Sequence, residues 1–287
     1  EAMNPDYFGE HRLPPNVGAT QDLKIALSGS EAVFVVVPSQ AVRGVMAKVA
    51  ATPALPPGVP VVNLAKGLEA GTLNRLSDVI REELRQAGRD NPVSVLLGPS
   101  HAEEVALEMP TAVVLAGDAG FDWEEWQRLI SGPYFRVYTN PDMLGVEISS
   151  GFKNVIAVAV GLCDGLGMGD NTRGTVLTRG MAELVRITVA MGGSQESCYG
   201  LAGIGDMITT SISRHSRNRN FGEAVALGQE NPAAILAHSK QVVEGFYMAQ
   251  AALKLGEKFG IELPIVKAVH EVLFESKRPL RAIRDLM

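Results

Sequence analysis

One long run sets the architecture of this chain: Glu147-Ile-Ser-Ser-Gly-Phe-Lys153-Asn154-Val-Ile-Ala-Val-Ala-Val-Gly-Leu-Cys163. After Asn154 the run is apolar on every face, and a helix that is apolar all round is a buried helix. The sequence therefore predicts a central helix that opens near Lys153 and Asn154. Burying an ammonium without a partner is costly, so Lys153 is either a boundary residue whose amine reaches solvent or an amine with a tuned pKa.

Upstream of this run, short apolar stretches alternate with helical patterns. Strands alternating with helices at this spacing predict a mostly parallel sheet with helices on both faces. The predicted strands cover 31–37, 61–65, 93–97, 111–116 and 135–138, and the predicted helices cover 41–50, 72–86, 101–107 and 123–130.

The period of the pattern changes after Asn140-Pro141-Asp142, where strand signals nearly vanish. Helical patterns then cover 175–191, 221–227, 233–238, 248–259 and 266–275. The sequence thus predicts an α/β plus all-α protein. An incomplete Rossmann-like, dinucleotide-binding domain would occupy 1–141, and an all-helical substrate and catalytic domain would occupy 142–287.

Composition limits the possible functions of the chain. A net charge of −6 over 287 residues, with no long run of one sign, argues against a general nucleic-acid or anionic-membrane binder. The longest apolar run, 155–163, is too short for a bilayer, which takes about 20 residues. Two cysteines without a C-x-x-C motif, and no signal-peptide pattern, favour a reducing cytoplasm.

Small and charged residues follow the predicted strands at their carboxyl ends. Pro38-Ser39, Lys66-Gly67 and Gly98-Pro99-Ser100 occupy these positions. Ligands of open α/β sheets bind at that edge, where glycine lets the backbone approach and lysine supplies positive charge. Taken alone, each glycine is better explained by an ordinary turn.

A dinucleotide-binding domain normally opens with a strand, G-x-G-x-x-G and a helix whose N-terminus holds the phosphates. No such motif follows a strand here, and the glycines near Gly165 and Gly203 have the wrong spacing and lie in the helical half. The first residue is Glu1. We expect that a βαβ unit of roughly 30–50 residues precedes this sequence in the complete domain.

Several ordered motifs carry a resemblance to a known family. They are Asn4-x-x-Tyr7, Ala65-Lys66-Gly67-Leu68-Glu69, Gly98-Pro99-Ser100, Lys153-Asn154-Val155-Ile156-Ala157, Gly200-Leu-Ala-Gly-Ile-Gly-Asp206, Ser216-Arg217-Asn218-Arg219 and Val242-Val243-Glu244-Gly245. From about Asn4 to its end the chain resembles bacterial-type NAD(P)-dependent glycerol-3-phosphate dehydrogenase. The resemblance implies interconversion of sn-glycerol 3-phosphate and dihydroxyacetone phosphate with NAD(P)H, feeding glycerophospholipid synthesis, by a cytoplasmic homodimer.

The resemblance also implies roles for individual residues. Lys153 would accept the proton of the substrate C2 hydroxyl, and Lys66 and Asp206 would complete the catalytic group. The implied substrate-binding residues are Lys66, Gly98, Ser100, Lys153, Asp206, Thr210, Ser216, Arg217 and Asn218. The implied cofactor-binding residues are Tyr7, Lys66, Ala102, Arg217, Val242 and Glu244.

Elementary chemistry supports these roles. A lysine acts as a base at neutral pH only if burial and a nearby cation lower its pKa to about 7–8, and Lys66 is a candidate for that cation. Asp206 is predicted in a tight turn after Gly205, where it holds Lys153 or the substrate hydroxyls, or simply caps a helix. Arg217 offers a planar fork for phosphate, with Ser216 and Asn218 as further donors.

Other interpretations stay open at this point. The arginines at 214, 217 and 219 also fit a solvated face or a small nucleic-acid patch. The chain could be a related two-domain hydroxyacid reductase, or a substrate-binding remnant that transfers no hydride. The histidines are scattered, and His270-Glu271 lacks a second histidine at zincin spacing, so no metal site is expected.

Overall fold

The computed structural model describes residues 12–118, 121–228, 231–239 and 242–286. Within these residues, five strands form one sheet in the order β1-β2-β3-β4-β5. All neighbours are parallel except β3 and β4, which are antiparallel, so the predicted mostly parallel sheet is confirmed. The strands are β1 (Val33–Val35), β2 (Val61–Asn63), β3 (Val93–Leu97), β4 (Thr111–Gly117) and β5 (Phe135–Thr139).

Helices accompany these strands in the first half of the chain. They are α1 (Leu23–Leu27), a 3₁₀ turn (Ser39–Ala41), α2 (Val42–Ala51), α3 (Leu76–Gln86), α4 (Ala102–Ala106) and α5 (Trp123–Ile130). The helix predicted from Thr72 begins only at Leu76. Leu73 adopts a left-handed φ of 62°, which a helix does not permit, and Leu68 pairs with Arg75 in an isolated bridge. The strand predicted over 31–37 is also shorter in the structure, because only Val33–Val35 pair with β2.

The described residues after Thr139 form helices and no strand. They comprise α6 (Met143–Gly165), α7 (Asp170–Ala190), α8 (Gln195–Cys198), a π-helical turn (Leu201–Gly205), α9 (Asp206–Ile212), α10 (Arg217–Ala226), α11 (Pro232–His238), α12 (Glu244–Phe259), α13 (Pro264–Phe274) and α14 (Pro279–Leu286). The sequence did not predict α1, α8, the π-helical turn, α9 or α14, which are short or border on glycine-rich segments.

The prediction that the central helix opens near Lys153 is wrong. Helix α6 begins at Met143, where the Asp142 side chain accepts a hydrogen bond of 2.8 Å from the Gly145 N–H. The polar side chains in its first turns are buried, because groups on other elements form hydrogen bonds with them. The Glu147 carboxylate, for example, accepts hydrogen bonds of 3.0 and 2.5 Å from the backbone N–H and hydroxyl of Ser77 on α3. Lys153 therefore lies in the middle of a buried helix.

Helix α6 is long and apolar enough to cross a membrane by length and composition alone. Its most apolar window is entirely buried within the protein, which is the environment of a core helix. Helices α7, α10, α12 and α13 pack around it and form the largest apolar core. No membrane insertion is indicated by this packing.

Two glycines let α10 approach α6 at backbone distance. A Cβ added at Gly222 would lie 2.2 Å from the carbonyl oxygen of Val158, and one at Gly161 would lie 2.0 Å from that of Arg219. Neither partner is a flexible side chain, so any larger residue would push the two helices apart. This contact fixes the position of the N-terminal turn of α10 relative to Lys153.

We predict that Gly222→Ala lowers the free energy of unfolding by about 1–3 kcal/mol, because overpacking of this size forces backbone shifts. Gly174→Ala in α7 is the matched control, since its Cβ would meet nothing within 4 Å. Alanine in an open helix interior should stabilise the protein by about 0.5–1 kcal/mol. Urea unfolding followed by circular dichroism gives the free energy of unfolding of each variant. Equal values for the two variants would contradict the close-packing argument.

Candidate active site

One buried carboxylate lies between two lysines at the junction of the sheet and the helical half. The Lys153 Nζ donates to Asp206 Oδ1 at 2.6 Å, and the Lys66 Nζ donates to Asp206 Oδ2 at 2.8 Å. Lys153 is 5% exposed and Asp206 is 2% exposed. The structure thus brings together the three residues that the sequence analysis assigned to catalysis.

Lys66 comes from the loop that follows β2, at the carboxyl edge of the parallel part of the sheet. A close approach between this loop and α6 sets its position. A Cβ added at Gly151 would lie 3.1 Å from the Cα of Gly67, and Gly67 itself has a φ of 139° that favours glycine. These two glycines allow Lys66 and Lys153 to share one carboxylate.

Asp206 does not lie in the predicted tight turn. It begins α9, directly after the π-helical turn Leu201–Gly205, and Thr210 follows it one helical turn later. The Thr210 hydroxyl donates to Asp206 at 3.0 Å and accepts from the Lys153 Nζ at 2.6 Å. The spacing of glycines 200, 203 and 205 is typical of a turn in the sequence. In the structure they begin and form the π-helical turn. Such π-turns often accompany functional sites.

The electrostatics of this group differ from those of an exposed lysine. Burial lowers the pKa of Lys153, Asp206 opposes that effect, and the ammonium of Lys66 lowers it further, to about 7. Burial alone would raise the pKa of Asp206, but the two ammoniums overcome it and hold that pKa below its usual value. Near neutral pH, Lys153 therefore exchanges a proton readily while Asp206 stays ionised.

The loop after β3 contributes backbone and a hydroxyl to the same place. The carbonyl oxygen of Gly98 accepts a hydrogen bond of 2.7 Å from Lys66. Gly98 has a φ of 150°, and its absent Cβ leaves room for Val113 of β4. The Ser100 hydroxyl donates to the same carbonyl at 3.2 Å. Gly98 thus lies beside Lys66, and Ser100 lies beside Gly98.

The Ser216-Arg217-Asn218 segment forms the start of α10 and meets α6 at Asn154, the residue after Lys153. The Ser216 side chain caps this helix by accepting from the Arg219 N–H. The Asn218 amide is buried; it donates to Asn154 at 2.8 Å and accepts from the Gly245 N–H at 2.9 Å. The guanidinium of Arg217 is exposed and makes no hydrogen bond with the described part of the chain. Two of the three predicted clamp side chains therefore shape the turn, and Arg217 is available to a ligand.

Asn154 is a site residue to which the sequence analysis gave no role. It is buried, follows Lys153 directly and connects α6 to Asn218. The available signal was an amide on a helix that is otherwise apolar from this point on, because a buried amide requires partners. The hydroxyl of Thr209, the neighbour of Thr210, donates at 3.0 Å to the carbonyl oxygen of Gly205, the last residue of the π-helical turn.

The residues expected to face a cofactor are distributed around the carboxyl edge of the sheet. Glu244 accepts hydrogen bonds from the backbone N–H of Ser39, at 2.9 Å, and from the Ser39 hydroxyl. A Cβ on Gly67 would lie 3.7 Å from this Glu244 carboxylate. Val242 is half-buried just before α12, and Ala102 is exposed in the first turn of α4. Tyr7 lies outside the described residues.

Comparison with known proteins identifies the family. The model of the NAD-dependent glycerol-3-phosphate dehydrogenase C-terminus matches residues 142–284, and that of the N-terminus matches residues 1–120. The chain belongs to the NAD-dependent glycerol-3-phosphate dehydrogenase family. The resemblance seen in the sequence motifs is thereby confirmed.

Individual relatives agree with this family. The chain is 46% identical over 285 residues to a glycerol-3-phosphate dehydrogenase [NAD(P)+] of Desulfitobacterium hafniense, covering 99% of this chain and 78% of the relative. It is 42% identical to the enzyme of the same name from Chlorobium limicola, covering 100% and 85%. The crystal structure of glycerol-3-phosphate dehydrogenase from Coxiella burnetii superposes with a TM-score of 0.93 at 35% identity, covering 100% of this chain and 86% of that one.

The broader reductase alternative shares the fold only. A ketopantoate reductase from Ralstonia eutropha superposes with a TM-score of 0.58 at 15% identity, covering 93% of this chain and 81% of that one. This similarity extends the two-part architecture to other reductases but says nothing about substrate. The Rossmann-like first half and the helical second half are thus those of the glycerol-3-phosphate dehydrogenase family.

We predict that Lys153 titrates near pH 7, because it is buried beside a second ammonium. The measurement is the pH dependence of the Lys153 ¹³Cε shift in protein labelled at the lysine ε-carbon. Lys66→Met should raise the midpoint, since the variant loses the like charge and leaves Asp206 to Lys153 alone. A wild-type midpoint near the usual value of about 10.4 would contradict the argument.

Proposed function

We propose that this chain interconverts sn-glycerol 3-phosphate and dihydroxyacetone phosphate as an NAD(P)-dependent dehydrogenase. The observation that carries the proposal is the pair of ammoniums on Lys66 and Lys153, held by one buried carboxylate at the sheet edge where such folds bind ligands. Family membership supports the same reaction. The product of the reduction, glycerol 3-phosphate, would supply glycerophospholipid synthesis.

Lys153 is the proton acceptor for the C2 hydroxyl when glycerol 3-phosphate is oxidised. The reaction in that direction needs the neutral amine, and the neutral fraction rises as pH increases through about 7. Reduction of dihydroxyacetone phosphate needs the protonated amine, so its acid–base requirement is met below that pKa and is lost as pH rises through it. A pKa close to working pH lets one amine serve both directions.

Lys66 and Asp206 support this proton transfer in different ways. The Lys66 ammonium stabilises negative charge that develops on the C2 oxygen and keeps the pKa of Lys153 low. Asp206 and Thr210 fix the Lys153 Nζ through hydrogen bonds of 2.6 Å each. Fixed donors of this kind need no reorganisation when the charge develops.

The start of α10 receives the phosphate of the substrate. The backbone N–H groups of Arg217 and Asn218 occupy the first two helical positions, where no partner exists within the helix. Such N–H groups and the helix dipole attract anions, and the exposed Arg217 guanidinium adds a fork that matches phosphate oxygens. An uncharged substrate would leave this arrangement unused. A hydroxy acid could place its carboxylate here, so it is family membership that favours the phosphorylated substrate over the reductase alternative.

The carboxyl edge of the sheet fits a nicotinamide cofactor. Gly67 has a φ of 139° and packs closely against two polar side chains, since a Cβ there would lie 3.4 Å from Ser39 and 3.7 Å from Glu244. Backbone and polar side chains of this kind would hold the polar groups of the cofactor. A nicotinamide bound at this edge supplies the hydride acceptor or donor for C2. Ser39 donates two hydrogen bonds to Glu244 at this edge. Lys66 would contact both the substrate and the cofactor. Ala102, Val242 and Tyr7 are further proposed cofactor contacts.

Three broader features complete the proposal. The boundary between the two domains falls at 141–142, where strands give way to helices. The protein acts in the cytoplasm, in keeping with two buried, unpaired cysteines. It assembles as a homodimer, as the family resemblance implies.

We predict that Lys153→Met lowers turnover by about 10²–10⁴, the usual contribution of general acid–base catalysis. Methionine removes the amine while filling a similar volume in the core. The assay follows NADPH or NADH absorbance with dihydroxyacetone phosphate as substrate. Lys48→Met on the exposed part of α2 is the matched control and should retain wild-type turnover.

Circular dichroism melting accompanies this assay, since a folded but inactive variant is the expected result. Loss of melting cooperativity would assign the effect to the core. A folded Lys153→Met protein that keeps more than a tenth of wild-type turnover would reject Lys153 as the proton acceptor.

A further inference from the structure

His101 occupies a position between the sheet edge and the proposed phosphate site. It directly follows Ser100 in the loop after β3 and precedes the first residue of α4. Its ring centroid lies 6.4 Å from that of His215, with the rings tilted by 55°. Because His215 directly precedes Ser216, which caps α10, this ring pair brings His101 close to the start of α10.

The Nε2 atom of His101 is buried and has no hydrogen-bond partner in the described part of the chain. Buried polar side-chain atoms in proteins are nearly always hydrogen-bonded, so an orphan in a ligand site calls for an explanation. An oxygen of a bound ligand would satisfy this nitrogen. This atom had no role in the sequence analysis, which noted His101 only as one of several scattered histidines.

The groups around His101 lower its pKa and so favour the uncharged ring. Burial lowers its pKa, and the Lys153 ammonium lowers it further, while Asp206 and Glu104 act in the opposite direction and Lys66 adds to the lowering. A neutral imidazole carries one N–H, and its hydrogen-bond partner selects which nitrogen holds it. A phosphate dianion has only acceptors, so it selects the tautomer with hydrogen on Nε2.

We propose that the Nε2 of His101 donates a hydrogen bond to the phosphate of the bound substrate. The proposal rests on the proposed function, because it names a further contact in that site. His101 would then help the enzyme choose phosphorylated over unphosphorylated polyols. A site built to hydrogen-bond a ligand group rejects analogues that lack the group, because its buried polar atom is then left unpaired.

A different role for the same ring makes different predictions. The ring of His101 is near that of His215 and within the electrostatic range of the Lys153 amine, so a relay would carry a proton from Lys153 through the two imidazoles. A relay changes the rate of turnover and leaves substrate affinity unaffected. A phosphate contact changes affinity and leaves the chemical step nearly unaffected.

The test compares His101→Phe, which keeps a ring without a donor, with His101→Gln, which places an amide N–H near the position of Nε2. Isothermal titration with sn-glycerol 3-phosphate gives Kd, and inhibition by inorganic phosphate gives a second measure. We expect His101→Phe to raise Kd about tenfold or more, as for loss of a hydrogen bond to a charged group. His101→Gln should recover most of the affinity, and kcat should change less than about threefold.

Two reference variants separate the possible failures. His215→Phe keeps the ring contact with His101 and should bind with wild-type affinity. Arg217→Ala should weaken binding, because it removes the charged fork. If the wild type does not bind sn-glycerol 3-phosphate, or Arg217→Ala binds as tightly, the proposed function fails. If Arg217→Ala weakens binding but His101→Phe does not, only the role of His101 is overturned.

A reduced kcat for His101→Phe with unchanged Kd, restored by added imidazole, would likewise overturn the phosphate contact in favour of a relay. The imidazole ¹⁵N shifts of the wild type provide a test without substitution. Addition of sn-glycerol 3-phosphate should shift the His101 Nε2 resonance to that of a protonated nitrogen. An Nε2 resonance of an unprotonated nitrogen at saturating ligand contradicts the proposal, even if the variants fail to fold.

Discussion

The hydrogen bonds from Lys66 and Lys153 to the Asp206 carboxylate are the interaction on which the site depends. The buried ammonium of Lys153 and the partly buried ammonium of Lys66 repel each other and resist desolvation, so they need an anion between them to remain in place. The Asp206 carboxylate offsets one of the two positive charges. The group therefore keeps a net positive charge, which can stabilise negative charge on the substrate. The two lysines also differ in their surroundings. Lys153 is buried, whereas Lys66 lies at the sheet edge and is partly exposed.

The rest of the fold serves this contact by bringing three segments together. The loop after β2 reaches α6 through the Gly67–Gly151 approach, and α10 reaches the same helix through Gly161 and Gly222. Helix α9 then presents Asp206 and Thr210 on one face, because residues four apart are neighbours on a helix. The substrate would lie between an amine that exchanges protons and a helix N-terminus that attracts phosphate.

Much of this arrangement could be predicted from sequence, and the reasons are specific. The alternation of strands and helices, the carboxyl-end positions of Lys66 and Gly98, and the buried helix around Lys153 follow from periodicity and from the cost of burying charge. The family resemblance supplied Asp206 and the segment from Ser216 to Asn218. Those motifs are short, ordered and spaced along the whole chain.

The parts that sequence did not reveal depend on tertiary partners. The start of α6 was misplaced because Glu147 and its neighbours are polar yet buried, and their partners lie on α3. Asp206 was assigned to a turn because its glycines resemble one, although they belong to a π-helical turn. The buried Nε2 of His101 and the Asn154–Asn218 bond connect residues from separate elements, and no local pattern encodes such a pairing.

The central claim is that Asp206 raises the pKa of Lys153 while Lys66 lowers it. Its most direct test is the ¹³Cε titration of Lys153 in Asp206→Asn, which removes the negative charge and keeps the shape of the side chain. The account predicts a midpoint below that of the wild type, because Lys153 then faces Lys66 with no compensating anion. A midpoint at or above the wild-type value would contradict it.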